Sequence, residues 1–244
     1  MASNRRTFSN FLLFVPFLLH IALGANPLFH VCSTASRNYT SKSTYAANLN
    51  RLETYLYYQT PWMGFALGSI GSEPNQPFGL AQCRPDVSFP DCQTCINDAR
   101  NNISTLCPNS KGAAIWYDNC LFKYMDQDFF GQIDNQNKFC LSNVNSVSDP
   151  VSFDVKVYEL LTGLARRAYV SPRLFANGQT KYNESVTIYA LVDCTRDLSN
   201  GNCKKCLNEA IVELQSSCSS GKQGGRIVGG SCHVGYEIYP FFNA

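Results

Sequence analysis

Residues 83–95 read CRPDVSFPDCQTC, and residues 194–206 read CTRDLSNGNCKKC. Both stretches have the cysteine spacing C-x8-C-x2-C, and in both a further cysteine follows after eleven intervening residues. The chain has twelve cysteines, which form two sets of six: Cys32, Cys83, Cys92, Cys95, Cys107, Cys120 and Cys140, Cys194, Cys203, Cys206, Cys218, Cys232. The last interval is twelve residues in the first set and thirteen in the second. The chain therefore contains one cysteine-rich module twice.

Residues 1–24 have the features of a secretory signal peptide. Arg5 and Arg6 precede an apolar run from Phe11 to Leu23, and small residues follow around Gly24. The run is too short for a membrane span, and no second apolar stretch of about 18 residues appears downstream. We therefore predict cleavage near Gly24 and release of the mature chain. Because the secretory lumen oxidises thiols, the even cysteine count predicts six disulfides.

Three N-glycosylation sequons agree with this route, and they begin at Asn38, Asn102 and Asn183. The formal net charge is +2 and falls to about zero when Arg5 and Arg6 leave with the signal peptide. A neutral mature chain lacks the positive field that nucleic acids or anionic membranes require of a partner. The composition thus argues against both of these partners.

Apolar residues at helical spacing predict two helices in each module. The first helix is indicated by a shared quartet, Tyr45, Leu49, Leu52 and Leu56 in one copy and Phe153, Val157, Leu160 and Leu164 in the other. The second helix surrounds each C-x2-C pair, with one stripe formed by Cys92, Cys95, Ala99 and Ile103 and its counterpart by Cys203, Cys206, Ala210 and Leu214. Both stripes repeat at the same distance from the cysteines.

The remaining blocks are rich in β-branched and aromatic residues, which is typical of strands. Examples are Trp62 to Ile70, Phe78 to Cys83, Ile115 to Tyr124, Val186 to Val192 and Arg226 to Tyr239. We predict an α+β class with two tandem modules, each an antiparallel sheet of about five strands with two helices. The polar stretch 126–137 places the boundary near Gly131, giving modules 25–131 and 132–244. Because the linker is short, we expect the modules to pack together, through either a continuous sheet or a helix-to-sheet interface.

The doubled C-x8-C-x2-C spacing, the preceding helix and the terminal sequence GYEIYPFF at residues 235–242 resemble a known plant family. The chain is similar to the two-domain cysteine-rich repeat secretory proteins, which are built from the ginkbilobin-type salt stress response/antifungal domain. The resemblance covers nearly all of the mature chain. It also extends to receptor-like kinases and plasmodesmal proteins that carry the same tandem outside the membrane.

The resemblance implies a disulfide pattern that spacing alone leaves open among about 15 pairings per module. The implied pattern joins the first cysteine to the fifth, the second to the third and the fourth to the sixth. In this chain the pairs would be Cys32–Cys107, Cys83–Cys92 and Cys95–Cys120, then Cys140–Cys218, Cys194–Cys203 and Cys206–Cys232.

The resemblance also implies a candidate carbohydrate site. A single-domain family member binds mannose through an Asn directly after the first cysteine, an Arg six residues before the last and a Glu five residues after it. These positions hold Ser33, Ala114 and Met125 in the first module and Leu141, Arg226 and Glu237 in the second. Arg226 and Glu237 are therefore candidate sugar ligands, although counting forward from Cys218 would put Gly225 in the arginine position. The alternative is that Arg226 and Glu237 form a cross-strand surface pair.

Other motifs are interpreted structurally. The C-x2-C pairs could bind zinc or act in thiol exchange. A zinc site needs four convergent thiolates or histidines, but His30 and His233 are the only histidines of the mature chain. We therefore predict no metal and no cofactor. The glycine-rich residues 221–230 lack a phosphate-loop spacing and are expected to form a hairpin turn. For Trp62, Trp116 and Tyr117, core packing is favoured over ligand stacking.

No arrangement of nucleophile, base and orienting residue is present in the sequence, so we predict that the protein is not an enzyme. The expected function is recognition in the plant apoplast, with mannose-containing glycans as candidate ligands and a defence or antifungal role implied by the resemblance. One alternative is a protein-interaction module that partners or competes with receptor-like kinase ectodomains. A second alternative is an extracellular thiol redox sensor that uses an exposed Cys83–Cys92 or Cys194–Cys203 bridge.

Overall fold

The structure is a computed structural model that describes residues 26–34 and 38–243, so the predicted signal peptide at 1–24 lies outside the described residues. The first module contains β1 Phe29–Cys32, α1 Thr44–Met63, β2 Phe65–Ser69, β3 Phe78–Cys83, α2 Phe89–Leu106, β4 Ala113–Trp116 and β5 Cys120–Met125. Its sheet has the strand order β1-β4-β5-β3-β2. All neighbouring strands of this sheet are antiparallel.

The second module repeats this arrangement. It contains β6 Lys138–Ser142, α3 Pro150–Ala168, β7 Phe175–Lys181, β8 Thr187–Cys194, α4 Asn200–Glu213, a π-helical turn Leu214–Cys218, β9 Gly225–Gly229 and β10 Cys232–Glu237. The strand order is β6-β9-β10-β8-β7, again with antiparallel neighbours. The predicted α+β class with two tandem modules, five strands and two helices in each, is confirmed.

The second helix of each module begins at a serine that occupies the same place in the two C-x8-C loops. Ser88 accepts a hydrogen bond from the backbone N–H of Asp91 and starts α2, and Ser199 accepts one from Asn202 and starts α4. A serine at this position satisfies an N–H group that would otherwise have no partner in the first helical turn. The repeated sequence therefore repeats the helix start.

The helices cover one face of each sheet and bury the predicted stripes. The quartet of α1 is fully buried, as are the stripes around the C-x2-C pairs. On α3 the prediction is wrong at one position, because Leu161 is buried and Leu160 is only partly buried. Spacing of i, i+4, i+8 and i+11 follows one helical face as well as the predicted spacing does.

Each module contains three disulfides, and all twelve cysteines are paired. The bridges are Cys32–Cys107, Cys83–Cys92, Cys95–Cys120, Cys140–Cys218, Cys194–Cys203 and Cys206–Cys232. They are the pairs that the family resemblance implies, and each lies within one module. In both modules, all three bridges have one end on the second helix or at its C-terminal end. The second helix is therefore fixed covalently to three different strands.

The modules meet through the faces of the sheets that carry no helix. Leu80, Ala114, Trp116 and Leu121 of the first sheet form an apolar cluster with Val228 of the second. No described helix residue contributes to this cluster. The two sheets are separate, so both expected arrangements, a continuous sheet and a helix-to-sheet interface, are wrong. Sheet-to-sheet packing instead buries both faces of strands such as β4.

Polar groups also join the modules. The buried Gln82 donates from Nε2 to the carbonyl of Cys194 at 3.0 Å and accepts at Oε1 from the backbone N–H of Arg196 at 2.9 Å. Trp116 Nε1 donates to the carbonyl of Gly229 at 3.0 Å. Since both side chains are buried, these bonds satisfy groups that would be costly to leave without partners.

The block Trp62 to Ile70 is only partly a strand, because α1 continues through Pro61 to Met63. Pro61 lies in the last turn, and the helix ends at Gly64, whose φ of 69° is left-handed. A glycine adopts that conformation without strain, so Gly64 is the stop signal and Pro61 is not. Consequently Trp62 is 77% exposed, and its predicted core packing is wrong, whereas Trp116 and Tyr117 are buried as predicted.

Two other predicted blocks are each a pair of strands. Ile115 to Tyr124 spans parts of β4 and β5, and Arg226 to Tyr239 spans most of β9 and all of β10. The second block also ends earlier than predicted, because β10 stops at Glu237. The residues that follow, including Tyr239 and Phe241, lie outside the strands.

Candidate functional site

The two candidate sugar ligands lie on the helix-free face of the second sheet. In the register of β9 and β10, Arg226 is opposite Gly235, and Glu237 follows two residues later on β10. Strand alternation places Gly235 and Glu237 on the same face, while Val234 and Tyr236 point into the module core. The sheet therefore brings Arg226 and Glu237 to one surface.

The strand register also decides which residue takes the arginine position. Ala114 of the first module pairs with Lys123, which is three residues after Cys120. Arg226 pairs with Gly235, which is three residues after Cys232. Arg226 is thus the structural counterpart of Ala114, and the extra residue of the second module lies between Cys218 and Arg226. Gly225 instead lies on the opposite face, one residue away.

An amide also occupies this surface, at Asn143 rather than at position 141. In the first module the N–H of Ser33 donates to the carbonyl of Gly112, and in the second the N–H of Asn143 donates to Gly224. Gly112 and Gly224 each stand two residues before the counterpart pair Ala114 and Arg226. Asn143 is therefore the structural counterpart of Ser33, because β6 is shifted by two residues relative to β1. Sequence counting missed Asn143 since a register shift leaves no mark in cysteine spacing.

Asn143 and Glu237 are joined directly. The Nδ2 of Asn143 donates to Oε2 of Glu237 at 3.1 Å, and the Glu237 side chain is buried. Gly224 lies against the Glu237 side chain, and a Cβ atom on Gly224 would overlap the Glu237 carboxylate. Burial, and then the charge of Glu237, raises the pKa of the neighbouring Tyr239 hydroxyl. The carboxylate thus has an amide on one side and a phenol on the other.

Arg226 makes its ion pair with the first module. Its Nη1 lies 2.8 Å from Oδ1 of Asp118, and its guanidinium carbon lies 4.9 Å from the centroid of the Phe241 ring. The side chain of Arg226 is 16% exposed and that of Asp118 is 62% exposed. The alternative interpretation as a cross-strand surface pair is therefore wrong, because Arg226 pairs with Asp118 and Glu237 accepts from Asn143.

The corresponding positions of the first module line a cavity of about 240 Å³. Ser33, Ala114 and Met125 all contribute to its wall, together with Lys123 and Asp134. Burial lowers the pKa of Lys123, whose Nζ donates to the carbonyl of Gly230 at 2.6 Å. At these three positions the first module has a hydroxyl and two apolar side chains where the second has an amide, a guanidinium and a carboxylate.

The predicted glycosylation sites have different surroundings. Asn38 and Asn183 are exposed, and the Asn183 Oδ1 accepts a hydrogen bond from the hydroxyl of Ser185 in its own sequon. Asn102 lies on α2, and its Nδ2 donates to the hydroxyl of Tyr117 at 2.7 Å. Glycosylation stays a prediction, and the exposed Asn38 and Asn183 offer the more accessible amides.

Thiol exchange at the two short disulfide loops meets a steric obstacle. Cys83 and Cys92 are each 2% exposed, and Cys194 and Cys203 are fully buried. Reduction requires a thiolate to reach one sulfur of the bridge. In the described part of the chain, no group of three or more His, Cys, Asp or Glu side chains is arranged to hold a metal ion. Within those same residues, every helix is too short or too polar to cross a bilayer.

The comparisons with known proteins agree with this architecture. The salt stress response/antifungal family model matches residues 31–127 and 139–239. An antimicrobial ginkbilobin-2-like protein from Castanea crenata is 50% identical over 226 residues, which cover 93% of each chain. Cysteine-rich repeat secretory protein 38 from Arabidopsis thaliana is 48% identical over 216 residues, covering 88% of this chain and 85% of the relative.

A solved structure shows the same fold. The tandem DUF26 ectodomain of the Arabidopsis thaliana cysteine-rich receptor-like protein PDLP8 superposes with a TM-score of 0.75 at 21% identity, covering 88% of this chain and 98% of that one. The family model and the relatives together account for both modules. The chain therefore belongs to the salt stress response/antifungal family and carries that domain twice, which confirms its resemblance to the tandem cysteine-rich repeat secretory proteins.

Proposed function

We propose that this protein is a secreted, non-enzymatic recognition protein of the apoplast that binds mannose-containing glycans in a defence or antifungal role. The observation that supports this proposal is the convergence of Asn143, Arg226 and Glu237 on one face of the second sheet. The antimicrobial name of a relative at 50% identity supports the defence role. The family and the fold are not those of known enzymes, which supports action by binding.

The three groups are chemically suited to a saccharide. A carboxylate accepts hydrogen bonds from sugar hydroxyls, a guanidinium donates them, and an amide can do both. Small-molecule sites depend on a few convergent polar groups beside apolar walls. The ring of Phe241 and the half-exposed Tyr239 border the three polar residues and would supply such a wall.

A ligand would have to compete with Asp118 for Arg226. The Arg226 side chain is largely buried, but Asp118 is 62% exposed, so solvent screens the pair and its contribution is on the order of 1 kcal/mol. The free-energy cost of exchanging this carboxylate for sugar hydroxyls is therefore small. The saccharide would then lie between the β4–β5 turn of the first module and the C-terminal residues after β10.

Titration calorimetry with mannotriose and binding to immobilised yeast mannan test the proposal. Arg226→Ala and Asn143→Ala should each weaken binding at least tenfold, which corresponds to about 1.4 kcal/mol. Arg166→Ala is the matched control, because Arg166 is an exposed arginine on α3 of the same module. Absence of mannan binding by the intact protein, or unchanged binding by Arg226→Ala, would contradict the proposed sugar site.

A second candidate function is protein interaction, and a surface of α3 favours it. Val151, Val155 and Tyr158 are 76%, 52% and 46% exposed and follow the i, i+4, i+7 spacing of one helical face. An exposed apolar stripe on a folded domain is a common contact surface for another protein. Binding to receptor-like kinase ectodomains of the same family should then be lost in Val155→Asp and retained in Arg226→Ala.

A further inference from the structure

We propose a second ligand site, for a carboxylated sugar, in a pocket where the two modules meet. This junction pocket has a volume of about 260 Å³ and lies between the end of α1 and the start of α2 in the first module, and two arginines of the second. The residues on which its recognition depends are Trp62, Arg84, Phe89, Arg173 and Arg196. It shares none of them with the proposed mannose site, so it does not depend on that function.

The junction pocket is positively charged. Among the described residues, its lining contains three arginines and no Asp or Glu. Arg84 is neutralised, because its Nε and Nη2 donate to the carboxylate of Asp86 at 2.6 and 2.9 Å. Arg173 and Arg196 come from the second module, and the side-chain hydrogen bonds that they make go to main-chain carbonyls. The Arg196 guanidinium also lies over the Phe65 ring, 5.4 Å from its centroid. Among the described residues neither arginine has a carboxylate partner, so both charges remain available to an anion.

The geometry of these two arginines leaves donors for a ligand. Arg196 donates from Nη1 to the carbonyl of Met63 at 2.7 Å, and Arg173 donates from Nη1 to the carbonyl of Pro85 at a long 3.5 Å. A guanidinium has five N–H donors, so each of these contacts uses only a fraction of them. Arginine forks match carboxylates with two parallel hydrogen bonds. The pocket thus has the groups that fix a carboxylate.

An aromatic wall stands beside this charge. Trp62 is 77% exposed, and its ring lies 4.6 Å from that of Phe89 between centroids. A tryptophan left largely in water is unusual for a side chain of that size. The apolar C–H face of a sugar ring can cover such an indole while the ring hydroxyls stay in water. A ligand with both an apolar ring face and a carboxylate would use both walls.

These features select a uronic acid over a neutral sugar. A neutral sugar could accept hydrogen bonds from the two guanidinium groups but would leave their charges unpaired, and a free carboxylate would gain nothing from the indole. In the proposed mannose site Arg226 is already paired with Asp118, and Glu237 adds a second carboxylate, so an anion is disfavoured there and the two sites differ in the ligands they accept. At thirty residues after the first cysteine, the first module has Trp62 and the second has Val170.

Titration calorimetry with trigalacturonate, beside its methyl-esterified form, tests the junction pocket. We expect trigalacturonate to bind, with weaker binding at higher salt, and the ester to bind at least tenfold more weakly. Trp62→Ala and Arg173→Ala should each weaken trigalacturonate binding about tenfold. Val170→Ala and Arg166→Ala are matched controls, since they remove an exposed apolar residue and an exposed arginine outside the pocket.

Four outcomes would overturn the assignment: no binding of trigalacturonate, equal binding of the ester, unchanged binding by both pocket variants, or tighter binding of a sulfated or phosphorylated sugar. Trp62 and Arg173 are exposed, so circular dichroism of these variants should match that of the intact protein. Mannotriose is titrated in parallel. Its binding should persist in Trp62→Ala and Arg173→Ala, so that loss of one site is distinguishable from loss of the other.

Discussion

Arg226 Nη1 in the second module lies 2.8 Å from Asp118 Oδ1 in the first, so one guanidinium serves both the module contact and the candidate sugar site. We predict that Asp118→Asn releases this guanidinium and raises mannotriose affinity about threefold, while the free energy of unfolding falls by less than about 1 kcal/mol. Titration calorimetry and urea denaturation measure the two effects.

The control for this variant is Glu159→Gln, which removes the carboxylate of the exposed Lys156–Glu159 pair on α3. It should cost a similar small amount of stability and leave mannotriose affinity unchanged. A lower affinity in Asp118→Asn would mean that Asp118 itself contacts the sugar.

Gly224 keeps space open for the Glu237 carboxylate, and the second prediction uses that space. The Cβ atom of Gly224→Ala would overlap the carboxylate and force it from Asn143. We expect a loss of about 1–3 kcal/mol in the free energy of unfolding and loss of mannotriose binding. Gly163→Ala is the control, because a Cβ atom there meets nothing within 4 Å. On a helix this control should stabilise the protein by roughly 0.5–1 kcal/mol.

Much of the fold could be predicted because cysteine spacing and apolar periodicity are local properties of the sequence. The buried stripe of α1 and the caps at Ser88 and Ser199 depend on residues within one or two helical turns. The packing of the modules was predicted incorrectly, although β4, with the sequence AAIW, carries a signal. A short strand that is apolar at every position is typical of a sheet buried on both faces.

The candidate site could be predicted only in part for a related reason. The positions of Arg226 and Glu237 could be counted from Cys232, because Cys232 is the first residue of β10 and β9 pairs directly with that strand. Asn143 depends on how β6 pairs with β9, and that register differs by two residues from the pairing of β1 with β4. Strand register is set by packing between strands that are distant in the sequence. Cysteine spacing and local apolar periodicity do not specify that packing.

Glu53 on α1 should make stability depend on pH. Burial raises the pKa of Glu53 from 4.5 to about 7, although the nearby Arg100 acts in the opposite direction. Between pH 4.5 and about pH 7, Glu53 of the folded protein holds a proton that Glu53 of the unfolded chain has released. The folded state therefore binds more protons, and stability falls as the pH rises from about 4.5 to about 7.

We predict that Glu53→Gln weakens this dependence. The variant should match the intact protein at pH 4 and exceed its free energy of unfolding at pH 8 by on the order of 1 kcal/mol. Urea denaturation at pH 4, 6 and 8 measures both proteins, with the exposed Glu209→Gln on α4 as the control. An unchanged slope in Glu53→Gln would show that Glu53 is not the titrating group.

Gln82 should be the polar residue on which module packing depends most. Gln82→Leu leaves the carbonyl of Cys194 and the N–H of Arg196 without their partner at a buried junction. Each such group costs about 1–3 kcal/mol, so we expect a loss of at least 2 kcal/mol. Scanning calorimetry should then resolve two transitions, one per module. Gln93→Leu, on the exposed side of α2, is the control and should keep a single transition.

The order in which the disulfides are reduced should follow their exposure. Cys140 is exposed and Cys218 is half-buried, whereas Cys194 and Cys203 are fully buried in the same module. Because a thiolate must reach a sulfur atom, limited glutathione should open Cys140–Cys218 first and Cys194–Cys203 last. Alkylation and peptide mapping at successive times measure the order.

The first module supplies an internal comparison, since Cys32 is half-buried and Cys107 is buried. The bridge Cys32–Cys107 should therefore open more slowly than Cys140–Cys218. Early opening of Cys194–Cys203 or Cys83–Cys92 under native conditions would require local unfolding of α4 or α2 at its first turn. That result would support the redox-sensor alternative, because such a sensor needs a disulfide loop that opens while the core stays folded.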